Sequence, residues 1–316
     1  MHKQKLRQSH AKDANEENRQ VNDARFNMKR IEVVTDPGVK VGADKLSALA
    51  ELTEKVRSIF ISKFEVSKDA LSYLKRIRIE KDTYKDDLTG TEKAREYNLF
   101  VTGGELRIAE NVLDMWSDEY SPTIAHELTH AIVFGNIPGS EAIRHNNWNT
   151  LYEEGNGAAR LIRASDEALA TFSGSVIGAY EFGLLAEMKT DSVEYIATAN
   201  KKFEEFMKKK DNERKRLYAE DRVKAMFMIN EIGYVTGRAA FLRALDFTVA
   251  KQYDMLKKLL SANAIISESG DGQDMRKVLG TIFRFAEESG RIGEGFARFV
   301  NEELSEVSLV IKGSAL

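Results

Sequence analysis

Residues 126–130, His126-Glu127-Leu128-Thr129-His130, set the strictest condition on how this 316-residue chain can fold. The apolar and small residues around them, Ile124, Ala125, Leu128, Ala131 and Ile132, belong to a helix threaded through a core. That helix must nevertheless accommodate two imidazoles and a carboxylate. A spacing of four residues puts both imidazoles on one helix face, where two ring nitrogens can converge on a single metal ion. Glu127 leans toward the same ion and can take a proton from a metal-activated water. The chain has only 5 histidines, and random placement gives this pattern on the order of once in a hundred such chains. The competing structure, a buried helix with two satisfied histidines and a salt-bridged Glu127, buries three polar residues for no benefit. The motif therefore predicts a zinc-dependent hydrolase.

The flanks of the motif agree with a helix. Ser121-Pro122 is a good start, with Ser as N-cap and Pro at the first helical position. Gly135-Asn136 followed by Pro138-Gly139 ends it. Thr129 is uncharged, so no charge beside the histidines competes for the ion.

Composition closes several alternatives. Cysteine is absent, which excludes disulfides and zinc–thiolate sites and leaves His, Asp or Glu as ligands. A net charge of -3 gives no strong pull toward nucleic acid or membrane, so neither is expected as a partner. The first thirty residues are polar and charge-dense, with no apolar run of signal-peptide type, and no stretch of about twenty apolar residues offers a membrane span. A cytoplasmic location is the expectation. The chain is long enough for one large or two ordinary domains.

Along the chain, residues 1–30 read as a polar flexible arm. Ile31 to Val34 predicts a short strand closed by Asp36-Pro37-Gly38. Leu46, Leu49, Leu52, Val56, Ile59 and Phe60 recur at helical spacing between Asp44 and Ser62. Lys75 to Glu80 alternates as a half-buried strand does. Leu99 to Ile108 reads as a hairpin turning at Gly103-Gly104. That hairpin is either ordinary sheet structure or an edge able to bind an extended peptide beside the motif helix. After about residue 140 strand signal fades. Helical periodicity marks 140–153, 158–185, 192–210, 213–230, 231–247 and 274–288, with an interhelical loop at 208–212. The prediction is an α+β chain. A lobe over 31–185 holds a small mixed sheet and the motif helix, and an all-helical lobe covers 186–316.

A catalytic zinc needs a third protein ligand, with the fourth position left for water or substrate. The extended pattern HExxHxxGxxH is excluded, because its glycine and third histidine positions are Val133 and Asn136. His145, the other histidine within local reach, has a spacing that fits no common pattern. Carboxylates are better candidates. Glu167 stands in the apolar helical stretch Asp166-Glu167-Ala168-Leu169-Ala170-Thr171-Phe172, where Ala168 and Ala170 permit a close helix approach. This segment resembles the gluzincin metallopeptidases, in which a second helix supplies a glutamate, often as E-G-x-A followed by an aromatic. Here Ala168 stands in place of the Gly. A competing match is Trp148-Asn149-Thr150-Leu151-Tyr152-Glu153-Glu154-Gly155, which is similar to the tryptophan-rich run that carries the glutamate in aminopeptidases of that clan. Its Asn156-Gly157 continuation is a poor helix former, and its distance from His130 is longer than in those enzymes. Glu154 stays as the second candidate.

The resemblance spans roughly residues 97–240 and implies a zincin-like catalytic lobe, one zinc ion per chain held by His126, His130 and Glu167, and a peptide or protein substrate. Gly233-Tyr234-Val235-Thr236-Gly237-Arg238 resembles a Y-x-x-G element of such enzymes. It offers Tyr234 as a catalytic donor to the oxyanion, with Arg238 one turn along; the alternative for Tyr234 is a core tyrosine at a tight helix crossing. Glu127 is the expected general base of peptide hydrolysis. Two other functions compete. A catalytically silent interaction protein could retain the fold. A ferritin-like di-iron bundle would use Glu127-x-x-His130 as a ligand pair, but it needs a second such pair that the chain lacks, and it leaves His126 without a role.

Overall fold

The computed structural model describes residues 31–85, 92–94, 99–102, 104–114, 118–136, 157–209, 222–269 and 273–303. These form a largely helical α+β structure with a small mixed sheet. The chain divides into two compact units, Met1–Ser117 and Asp118–Leu316. The division falls ahead of the HExxH segment, which therefore belongs with the helices that follow it. The sequence pattern alone sets a boundary at 185/186. The arm over 1–30, the helix expected at 140–153 and Glu154 lie outside the described residues.

The first unit contains strands β1 (Glu32–Thr35), β2 (Arg76–Glu80), β3 (Thr83–Lys85), β4 (Glu92–Ala94), β5 (Leu99–Thr102) and β6 (Glu105–Ala109). Its helices are α1 (Ala43–Phe64), α2 (Lys68–Leu71) and α3 (Glu110–Asp114). Four strands form one sheet in the order β1-β2-β6-β5. β1 and β6 run parallel to β2, and β5 runs antiparallel to β6. β3 and β4 form a separate antiparallel pair. Alternation explains the faces. Ile77, Ile79, Leu106 and Ile108 are buried on one side of β2 and β6. Arg76, Arg78, Glu105 and Arg107 occupy the other, where Arg78 holds Glu105 at 3.0 Å and Asp36 at 2.9 Å. The β5–β6 register pairs Thr102 with Glu105, so two residues make the turn. Gly104 has φ +70, and a Cβ there would lie 2.7 Å from the Tyr73 carbonyl oxygen, which accounts for glycine.

Among its described residues the second unit is helical. After a 3-10 turn (Asp118–Tyr120) come α4 (Ser121–Asn136), α5 (Gly157–Glu181), α6 (Leu185–Met207), α7 (Arg222–Ala244), α8 (Val249–Ser269), α9 (Gln273–Glu288) and α10 (Glu294–Glu303). The segment expected as two helices, 213–230 and 231–247, is one continuous helix from Arg222. Nothing at Asn230-Glu231 breaks it, and Ile229, Ile232, Val235 and Ala239 continue a single buried stripe.

Helix α5 is the axis of this unit, buried from Ala164 to Ala179. Small residues bring its neighbours to backbone contact. A Cβ on Gly174 would lie 2.6 Å from the Pro122 carbonyl oxygen of α4. On the opposite crossing, a Cβ on Gly237 of α7 would lie 2.6 Å from the Ala168 carbonyl oxygen, and one on Gly233 would overlap the Glu167 Cβ. Further out, Phe203 of α6 packs edge-on against Phe296 of α10, ring centroids 4.9 Å apart. No helix among the described residues is long and apolar enough to cross a membrane.

Candidate metal centre

Helices α4, α5 and α7 meet where the sequence placed its candidates. On α4, Thr129 donates its hydroxyl to the Ala125 carbonyl at 2.8 Å. Its polarity is thus absorbed within the helix, and the histidines are left as the groups facing α5. His126 and His130 bring their Nε2 atoms to 3.1 Å of each other. Glu167 Oε2 of α5 lies 3.3 Å from His126 Nε2 and 3.4 Å from His130 Nε2. Ligands about 2.0–2.1 Å from a tetrahedral ion stand about 3.3–3.4 Å apart. The three atoms therefore outline one face of such a site. Glu167 and His130 are buried, and Oε2 makes no well-directed hydrogen bond despite its burial. A buried carboxylate oxygen within 3.4 Å of two ring nitrogens is a position for positive charge, a proton on His130 or a metal ion. These residues can hold a metal ion, and they are the only such group among the described residues.

The surroundings orient these side chains. Asp166 Oδ1 lies 2.9 Å from His130 Nδ1, the far nitrogen of the same ring, which turns Nε2 toward Glu167. Arg163, one turn before Glu167, brings one terminal guanidinium nitrogen to 2.5 Å of Glu167 Oε1. Its Nε donates to Asn230 Oδ1 of α7 at 2.8 Å. Electrostatics follow from these contacts. Burial disfavours a charged His130, but the Asp166 and Glu167 carboxylates outweigh it and raise the ring to about 9. Burial likewise opposes a charged Glu167, yet Arg163 and His130 hold its carboxyl well below the usual range. The field that draws a proton onto His130 is the field that retains a cation.

Glu127 is buried on α4, between the two histidines in sequence. It lies close enough to act on the charge states of Tyr234 and Arg163. Tyr234 of α7 has its ring centroid 5.9 Å from that of His126. Burial, and then the Glu167 carboxylate, push its phenol above the ordinary value, so it stays a protonated donor. Behind it, Tyr195 of α6 meets Tyr234 edge-on at 6.3 Å and donates its hydroxyl to Glu231 at 2.5 Å. Arg238 stacks over the Tyr195 ring at 4.5 Å.

The sequence alone names the three candidate ligands together with Glu127 and Tyr234. That reading passes over Arg163, Asn230 and the role of Asp166. Arg163 carried a signal, since Arg and Glu at i and i+4 share a helix face. Comparison with known proteins adds nothing further: no family model matches the chain, and no curated protein or solved structure matches it either.

Proposed function

We propose that this chain is a zinc metallopeptidase of gluzincin type, with a zincin-like active-site helix and a peptide or protein as substrate. The observation that carries the reading is the 3.1–3.4 Å triangle of His126 Nε2, His130 Nε2 and Glu167 Oε2, with Glu127 buried on the same helix as the histidines. Two imidazoles and one carboxylate suit zinc, and three protein ligands leave a position for chemistry. A bound zinc ion would supply Lewis acidity for the scissile carbonyl and lower the pKa of water at the site.

The remaining steps belong to the chain. Glu127 takes the proton of the water that attacks the carbonyl carbon and delivers it to the amide nitrogen as the C–N bond breaks. Tyr234, held protonated, donates its hydroxyl to the carbonyl oxygen as charge builds there. Asp166 would hold His130 in the tautomer that leaves the Nε2 lone pair free to bind a metal ion. The medium around these groups is largely buried protein, where each electrostatic interaction is stronger than in water.

The test joins metal content to cleavage of a mixed peptide library. Wild type should hold about one zinc per chain and cleave. Glu127→Gln should keep the zinc and lose at least about 100-fold in rate. His126→Ala should lose the zinc. A Glu127→Gln variant with full peptidase activity would overturn the mechanism, and a wild type that binds zinc without cleaving any peptide would favour the silent interaction protein.

A further inference from the structure

The two oxygens of Glu167 have different partners. Oε2 faces both imidazole nitrogens at 3.3 and 3.4 Å. Oε1 is engaged by Arg163 at 2.5 Å, a short charge-assisted contact. The guanidinium is itself fixed from a second helix, because its Nε donates to Asn230 Oδ1 at 2.8 Å. Its other terminal nitrogen lies 3.8 Å from Asp166 Oδ2. Arg163 is thus tied to Glu167 on its own helix and to Asn230 on α7, and its side chain is only 15% exposed.

A carboxylate can bind a cation through one oxygen or through both. Two-oxygen binding by Glu167 would add a donor atom beside the water or carbonyl at the fourth position, making the ion five-coordinate and crowding that position. We propose that Arg163, anchored by Asn230, is a positioning residue that occupies Glu167 Oε1 and confines Glu167 to one-oxygen ligation, keeping the fourth metal position open. This rests on the metal-centre reading above. A planar fork suits the task, since it meets the carboxylate and the amide oxygen at once, which the point charge of a lysine does not. An i,i+4 ion pair with no such role would add slightly to helix stability and leave the coordination unchanged.

The test reads coordination directly, on the full chain loaded with cobalt(II) in place of zinc. Four-coordinate cobalt absorbs visible light more strongly than five-coordinate cobalt. Wild type should show the intense four-coordinate bands. Arg163→Met, with its helical circular dichroism retained, should show weaker bands and a cobalt dissociation constant altered by about 10–100-fold in chelator competition. Asn230→Ala should move the bands the same way by a smaller amount, and it carries the test if Arg163→Met does not fold. Arg163→Lys should recover part of the intensity. Folded variants with wild-type bands and wild-type cobalt affinity would overturn the role of Arg163 while leaving the metal centre standing. A wild type that takes up neither cobalt nor zinc would overturn the centre and this role together.

Discussion

Tyr234 and Thr129 show how much a single polar group depends on its immediate partners. Thr129 sits inside the HExxH motif, yet its hydroxyl is spent on the carbonyl one turn back. Tyr234 is placed beside His126 with its proton held in place by burial and by the Glu167 carboxylate. Tyr234→Phe removes that donor and little volume. The expected outcome is a loss of about 100–1,000-fold in kcat with zinc content and KM near wild type, measured on the best-cleaved library peptide. An unchanged kcat would return Tyr234 to the core-tyrosine reading. At this scale the sequence was informative where chemistry fixes spacing. His126 and His130 share a face because four residues make about one turn, so both could be named before any fold was known. Asp166 and Asn230 could not, because their roles depend on which side chains arrive from other helices.

Elements were legible to the extent that their own periodicity decides them. The alternation in Arg76–Glu80 and Glu105–Ala109 marks strands, and the structure pairs them in parallel, a relation that no local pattern specifies. Helices α8 and α10 fall in the lobe read as all-helical, though their own bounds were not assigned; the apolar stripe of α10 is plain in Phe296, Phe299 and Val300. The charged face of the sheet gives a pH prediction. Burial opposes ionisation of Glu105, but the Arg78 hydrogen bond and the charges of Arg78, Arg107 and Arg76 lower its pKa. A lowered carboxylate stabilises the fold above its unfolded pKa of about 4.3 and loses that contribution as pH falls through the folded value. Glu105→Gln should cost about 1–2 kcal/mol at pH 7. The difference should shrink below about pH 4. Urea midpoints at the two pH values check this, and an equal penalty at both would count against the ion network.

The helix crossings give a second prediction. An added side chain at Gly237 meets the α5 backbone at 2.6 Å, and backbone cannot move aside as a flexible side chain can. Gly237→Val should destabilise by about 1–3 kcal/mol through overpacking, read as a lower urea midpoint. A wild-type midpoint would mean that α5 and α7 are not in backbone contact.

For the whole molecule, the division at Ser117/Asp118 places every member of the candidate metal centre in the second unit. The order of elements along the chain did not reveal this. The HExxH helix follows a strand and a short helix in sequence, but its tightest crossing is with α5, a helix beginning some twenty residues after it ends, because Gly174 and Gly178 admit Pro122. An ion that binds only the folded form stabilises it by mass action, by about 2.7 kcal/mol at a hundred times its dissociation constant. Hydrogen exchange with and without zinc should show that protection rise in α4, α5 and α7 and not in the strands of the first unit. Equal protection of both units would mean that they unfold as one.

The three helices also impose a timetable. On a ribosome, the histidine pair leaves the exit tunnel about a hundred residues before Tyr234, which at ~5–20 residues per second is a delay of roughly 5–20 s. Glu167 and Arg163 emerge during that interval and Asn230 only near its end. A nascent chain therefore exposes His126, His130 and Glu167 well before the α7 groups Tyr234 and Asn230 arrive.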